Sequence, residues 1–266
     1  MTAPRGSRQG DPEYYRFWQN VGDDFPDLGG APSTRFYREN EIRLLEQTLP
    51  PLAGLRILKT DLWDEARNTR ILQWATERGA PAFGIDLSRP IARDARRNFG
   101  RLALHPVVSD VRAIAFADAS FDAVYSMGTV EHFDETEQAV REIHRVLKRG
   151  GLAVIGVPNR HDPFLRPALA ALMQAFNWYG YGFEKSYSRR AWRDILERAG
   201  FEVVAESGIL FVPGWLRMLD LWCHTSAPAL TKLTRLALAP FVWLHRHVPA
   251  THRYGYLIAT VGRRRA

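Results

Sequence analysis

From residue 52 onward the chain alternates between short apolar runs and longer stretches in which apolar residues recur every three or four positions. The first pattern predicts buried strands and the second amphipathic helices. Leu55 to Lys59 reads as a strand, Asn68 to Arg78 as a helix closed by Gly79, and Ala82 to Asp86 as a second strand. Arg89 to Phe99 follows as a helix, with Pro90 in its first turn, where proline is tolerated. Pro106 to Ser109 and Phe121 to Met127 are the third and fourth strands. Glu135 to Lys148 places Val140, Ile143, Val146 and Leu147 on one helical face; Gly150-Gly151 stops it, and Leu152 to Val157 is the fifth strand. Ser188 to Ala199 is a helix with Ser188 as N-cap and Gly200 as its stop, ahead of a sixth strand, Phe201 to Ala205. The last strand is Tyr256 to Val261.

Three regions lie outside this alternation. Residues 1–12 are polar, contain Gly and Pro, and are expected to be without order. Tyr14 to Pro51 is aromatic, with a helix from an N-cap at Thr34 to Leu49, stopped by Pro50 and Pro51. Two insertions, 160–187 and 210–253, interrupt the second half. Strands alternating with helices imply an α/β fold: a parallel sheet with helices on both faces and right-handed crossovers. We therefore divide the chain into an N-terminal arm and lid, 1–51, and one domain, 52–266, carrying both insertions.

Composition changes this picture in two ways. The 266 residues are 46% hydrophobic and 24% charged, as in ordinary globular proteins. The single cysteine, Cys223, excludes an internal disulfide, in keeping with a cytoplasmic setting. The first residues lack the apolar core of a signal peptide, and the apolar run Leu236 to Leu244 is too short to span a bilayer. The net charge of +7 is concentrated: from Ser207 onward eight basic residues face one acid, Asp220. A basic pole of this kind attracts anionic partners, or is simply a solvated terminus.

The block from Phe121 to Phe133 (FDAVYSMGTVEHF), together with Glu142 to Gly151 (EIHRVLKRGG), resembles the fourth strand, following helix and fifth strand of class I S-adenosylmethionine-dependent methyltransferases. Members carry an FD-x-V strand, often a Glu-His pair after it, and an R-x-LKPGG turn, where this chain has Lys148-Arg149 in place of Lys-Pro. The resemblance covers roughly Leu55 to Ala205 and the last strand. It implies a Rossmann-like, seven-stranded, mostly parallel sheet with an antiparallel last strand, helical insertions after strands five and six, and S-adenosyl-L-methionine as cofactor. A dinucleotide dehydrogenase would also use an acid after strand two, but leaves the Glu131-His132 block and the final strand unexplained.

The resemblance assigns Asp86, at the end of strand two, to the ribose hydroxyls, with Leu87 beside it. It assigns Asp110, at the end of strand three, to the adenine amino group, and the backbone of Val111 to the ring. Ser126 and Met127, at the end of strand four, complete the cofactor set. Asp86 read alone also suits a helix cap, and Asp110 a loop turn. The first loop departs from the family. Lys59 stands where an acid is expected, and Asp61, Trp63 and Glu65 occupy the positions of the G-x-G-x-G glycines that let backbone approach the methionine moiety. Three readings are open: Asp61 binds the methionyl ammonium while Lys59 pairs with its carboxylate, the cofactor is displaced, or the site is dead. Opposite charges suit a zwitterionic amino acid, which favours the first.

Methyl transfer needs an aligned nucleophile, exclusion of water and often a base. His132 follows strand four, where ligands bind in open α/β sheets, and Glu131 orients it or meets the cofactor; the pair equally suits packing at a helix start. Some related quinone-pathway O-methyltransferases bind a divalent metal through Glu-x-x-Glu-His, but Gly128 holds the first Glu position, so no metal is expected. His144 is too far along its helix to act, and His245, His247 and His252 read as interface residues rather than ligands.

The arm (Tyr14, Tyr15, Phe17, Trp18, Tyr37) and both insertions (Trp178, Tyr179, Tyr181; Trp215, Trp222, Phe241, Trp243) are aromatic, as suits a lid over an apolar or ring-containing substrate. The leucine-and-base pattern of residues 230–236 fits a helical cap, a homodimer interface or an anionic membrane surface; no motif points to nucleic acid. The expected function is methylation of an oxygen or nitrogen on a small, glycosidic or lipid-linked acceptor by a cytoplasmic enzyme, with a peripheral place at the membrane left open. The alternative is an inactive methyltransferase-fold binding protein.

Overall fold

Seven strands form one sheet in the order β3-β2-β1-β4-β5-β7-β6. They are β1 Ile57–Lys59, β2 Ala82–Asp86, β3 Leu104–Val108, β4 Phe121–Met127, β5 Leu147–Pro158, β6 Phe201–Ile209 and β7 Leu257–Arg264. A computed structural model describes residues 8–176 and 182–265, so Trp178, Tyr179 and Tyr181 lie outside the described residues. The pairs of β1 with β2 and β4, of β2 with β3 and of β4 with β5 are parallel, whereas β7 runs antiparallel to both β5 and β6.

The helices are α1 Pro12–Asp24, α2 Pro32–Thr48, α3 Trp63–Arg67, α4 Ile71–Thr76, α5 Arg89–Asn98, α6 Thr136–Val146, α7 Arg166–Ala175, α8 Arg189–Arg198, α9 Gly214–Ser226 and α10 Thr231–His247. Side chains alternate across each strand. Ala123, Tyr125 and Met127 of β4 therefore pack under α2, α4 and α5 with Phe36, Leu45, Trp74 and Ile91. Val124 faces the other layer, where Val140 and Ile143 of α6 meet Trp192 and Leu196 of α8. Both layers are closed, as a parallel sheet requires.

Several elements differ from the sequence expectation. The arm opens with α1, whose N-cap Asp11 accepts from Glu13 N at 2.9 Å, so order begins before residue 12. Thr34 is not the N-cap of the next helix. It sits inside α2 and donates to Asn68 Oδ1 at 3.0 Å, while Asp220 Oδ2, from α9, accepts from Ser33 N at 2.8 Å. The helix expected over Asn68 to Arg78 is only the short α4, and a further short helix, α3, precedes it; the two are separated where Arg70 takes a left-handed conformation (φ 53°). The break is held by Glu65, which accepts from Leu72 N (2.8 Å) and Gln73 N (3.2 Å) and so caps α4. His245 is not an interface residue: it is fully buried, its Nε2 lies 2.6 Å from Arg43 of α2, and burial pushes its pKa down to about 3.

Candidate active site

The C-terminal ends of β1, β2 and β4 open on one cavity of about 180 Å³, roofed by α1, α2 and α9. β4 delivers Met127 to its wall because Gly156 on β5 leaves room: a Cβ there would stand 1.8 Å from the Met127 sulfur. Gly128 then turns the chain with φ 74°, a conformation that strains any residue with a side chain. The turn brings Thr129, Glu131 and His132 onto the same wall.

Strand β1 ends on a buried ion cluster. Lys59 is fully buried, and its ammonium donates to the Asp61 carbonyl (3.1 Å), Asp61 Oδ1 (3.0 Å) and Asp64 Oδ2 (2.9 Å). An ammonium has three hydrogens, and all three are engaged. Burial alone would lower the Lys59 pKa, but Asp61, Asp64 and Glu65 outweigh it and hold the group above its ordinary range. Asp61 keeps one edge toward the cavity, where its Oδ2 accepts from Thr129 Oγ1 at 2.8 Å. Burial raises its pKa, against the pull of Lys59. A short relay continues inward, since Thr60 Oγ1 donates to Ser126 Oγ at 2.7 Å.

Asp86 is the second acid on the wall. It accepts from Leu62 N at 2.8 Å and Ser88 N at 2.7 Å, which ties the first loop to the end of β2. Each carboxylate oxygen keeps a further lone pair. Burial pushes its pKa up to about 7, and the two N–H donors oppose that rise.

His132 donates from Nδ1 to the Phe183 carbonyl at 2.8 Å and packs edge-on against Trp18 at 5.1 Å. A carbonyl can only accept, so this bond selects the Nδ1–H tautomer and leaves the Nε2 lone pair available. Burial lowers the imidazole pKa and so favours that neutral form. Glu131, 2% exposed, has an Oε2 with no hydrogen-bond partner. Burial, and then Glu184, raise its pKa well above the carboxylate range.

A family model described as a methyltransferase domain matches residues 66–155. The chain is 29% identical over 170 residues to a ubiquinone biosynthesis O-methyltransferase of Ruegeria pomeroyi, covering 61% of this chain and 66% of that one. It is 28% identical over 156 residues to a demethylmenaquinone methyltransferase of Chlorobaculum parvum, covering 50% and 64%. The alignments thus span just under two thirds of these relatives. A Thermotoga maritima structure described as a possible histamine N-methyltransferase superposes with a TM-score of 0.60 at 17% identity, over 95% of this chain and 98% of that one. The methyltransferase-domain match covers about a third of the chain, and the whole chain is similar in fold to the class I S-adenosylmethionine-dependent methyltransferases.

The family's cofactor is S-adenosylmethionine, a net cation by virtue of its sulfonium and ammonium groups. The wall offers it Asp61, Asp86 and the unpartnered Glu131 oxygen, and this acid-rich set fits such a group. Of the residues expected from the sequence, Asp61, Asp86, Leu87, Val111, Met127, Glu131 and His132 line the cavity together. Lys59, Asp110 and Ser126 do not. Lys59 is closed into its ion cluster, so it offers no donor to a cofactor carboxylate. Asp110 is gripped by Arg112, whose Nη2 lies 2.7 Å from Oδ2, and by Tyr15, whose hydroxyl donates to Oδ2 at 3.0 Å. Ser126 is fully buried in the hydroxyl relay.

Sequence reasoning missed Thr129, Arg166, Glu184 and Arg217, all on the wall. The first lies within the recognised block, and its hydroxyl was a legible signal. The other three come from insertions, where no periodicity fixes which face meets the sheet. Among the described residues no group of three or more His, Cys, Asp or Glu side chains is arranged to hold a metal.

Proposed function

We propose that this chain transfers the methyl group of S-adenosylmethionine to an oxygen or nitrogen of a small or lipid-linked acceptor. The observation that carries the reading is the shared cavity: His132, whose Nδ1 bond to Phe183 leaves Nε2 as the lone-pair nitrogen, lines the same space as Asp61 and Asp86. Asp86 would hold the ribose hydroxyls, Asp61 the methionyl ammonium, and Leu87 and Val111 would flank the adenine. The cofactor supplies an electrophilic methyl on sulfur. His132 Nε2 takes the proton from the acceptor as it attacks, and α1 with Trp18 excludes water from that side. Glu131, whose pKa burial raises, presents its unpartnered Oε2 at the same wall.

An apolar, lipid-linked acceptor is supported by the outer surface of the cap. Trp215, Leu219 and Trp222 project from one face of α9, and Leu233, Leu236 and Trp243 from α10, all exposed, beside Lys232 and Arg235. Such a face suits the plane of an anionic membrane. Among the described residues no helix is long and apolar enough to cross one. Residues 12–48 and α9–α10 then act as lids over the methyltransferase domain, the arm on the cofactor side and the cap on the acceptor side.

A non-catalytic role is the second reading, favoured by one observation: the Lys59–Asp61–Asp64 cluster fills the place of the glycine loop. Calorimetric titration with S-adenosylhomocysteine separates the two. Methyl transfer predicts micromolar binding that falls at least tenfold in Asp86→Ala and in Asp61→Ala. No heat at millimolar ligand would leave the binding-protein reading in its place.

A further inference from the structure

Arg217 is 8% exposed and lines the cavity, yet among the described residues its guanidinium makes no hydrogen bond and no ion pair, and its Nη1 is buried without a partner. This is unusual, because a buried guanidinium without a counter-charge carries an uncompensated desolvation cost. The groups around it explain why no protein partner serves. Asp220, on the same helix, is engaged by Ser33 N at 2.8 Å and by Thr234 Oγ1. Glu184 is paired with Arg166, whose Nη2 donates to Oε2 at 2.7 Å. The remaining contacts of Arg217 are to ring faces: its guanidinium carbon lies 5.2 Å from the Tyr37 centroid and 5.9 Å from that of Tyr256. Aromatic faces hold a guanidinium by its plane and leave the in-plane N–H fork to bind something else.

We infer that Arg217 is the receptor for an oxyanion, a carboxylate or a phosphate, carried by the methyl acceptor. The inference rests on the methyl-transfer reading and adds the acceptor's charge. The placement supports the acceptor side of the cavity. Tyr256 immediately precedes β7, three strand spacings from β1 in the sheet order, roughly 14 Å at the usual 4.8 Å separation. The Asp86 end of β2 lies one strand further away, whereas Glu131 and His132, after β4, lie between. An anion on Arg217 would thus anchor an acceptor whose reactive atom points back toward His132. Met218, Leu221 and Leu257 line the cavity nearby, which suits an anion attached to an apolar or aromatic body.

The test is calorimetry on the full chain saturated with S-adenosylhomocysteine, using benzoate and phenyl phosphate as probes of the two anion classes. Wild type is expected to bind at least one of them. Arg217→Gln should weaken that probe by about tenfold or more, the equivalent of about 1.4 kcal/mol, and Arg217→Lys by less, because it keeps the charge and loses the fork. S-adenosylhomocysteine affinity should stay within about twofold in both variants, and that binding, with a native circular dichroism spectrum, certifies their folding. Benzoate bound in preference to phenyl phosphate assigns a carboxylate acceptor, and the reverse a phosphate. The inference is overturned if neither probe binds, or if Arg217→Gln binds as wild type does. It is also overturned if Arg217→Gln loses S-adenosylhomocysteine, since the arginine would then hold the methionyl carboxylate. A wild-type chain that takes up the probes through Arg217 but binds no S-adenosylhomocysteine would support the anion site and sink the methyl-transfer reading instead.

Discussion

Replacing Lys59 by methionine tests whether the altered first loop is a structural device. The side chains are close in length, so the change removes one charge and three hydrogen bonds with little change in volume. The ammonium is fully buried, 3.0 Å from Asp61 Oδ1 and 2.9 Å from Asp64 Oδ2. Its loss leaves two carboxylates in a site built for a cation. Removing one partner of a buried ion pair costs about 3–5 kcal/mol. Asp61, whose pKa burial already raises, can relieve part of this by taking up a proton. For a domain of this size about 1 kcal/mol moves the melting temperature by roughly 2–4 °C, so a fall of roughly 6–20 °C is expected. Urea denaturation at neutral pH gives the free energy directly. In the same experiment, Asp64→Leu added to Lys59→Met should cost less than Asp64→Leu alone, with a coupling of about 1–3 kcal/mol. A loss below about 1 kcal/mol from Lys59→Met, with no coupling to Asp64, would refute the enclosed cluster and return Lys59 to the cavity as a partner for the cofactor carboxylate.

Two further predictions concern the imidazole and the cap. Long-range proton–nitrogen NMR should show His132 neutral at pH 7 with hydrogen on Nδ1, titrating below the ordinary value of about 6.5; an Nε2–H tautomer or an imidazolium at neutral pH would rule out its role as base. Because the folded pKa is lowered, the unfolded chain binds more protons as pH falls from the unfolded value toward the folded one, so His132 contributes stability above that window and loses it within it. Vesicles rich in phosphatidylserine should bind the chain more tightly than phosphatidylcholine vesicles. Lys232→Ala with Arg235→Ala should remove about 2 kcal/mol of that binding at about one per base, whereas equal binding to both vesicle types would exclude an anionic surface as the partner.

Much of the sheet was legible in the sequence. β2 and β4 run over the residues expected, because their apolar runs are bounded by Gly, Pro and charged positions. The cap at Ser188 was legible for the same local reason: its hydroxyl meets the free N–H of Ala191 in the turn that follows; at α5 the cap is Ser88, which accepts from Ile91 N, and not Asp86. Asp86 and the Glu131–His132 pair were singled out because they stand at strand ends, where the ligands of such sheets bind, and the fold brings them to one cavity. What local pattern could not supply was any interaction between distant segments. Thr34 has the chemistry of an N-cap, but Asp220 reaches that helix end from 187 positions away. Lys59 and Asp110 have the chemistry of ligand groups, yet the conformation of their own loops closes round them, with Asp61 and Asp64 on Lys59 and Arg112 on Asp110, and Tyr15 reaches Asp110 from 95 positions away. Arg217 shows the reverse. Nothing in its helix marks it, and only the tertiary structure brings it between two tyrosine rings with no carboxylate to meet it, because charge pairing depends on distances in space that spacing along a chain does not encode.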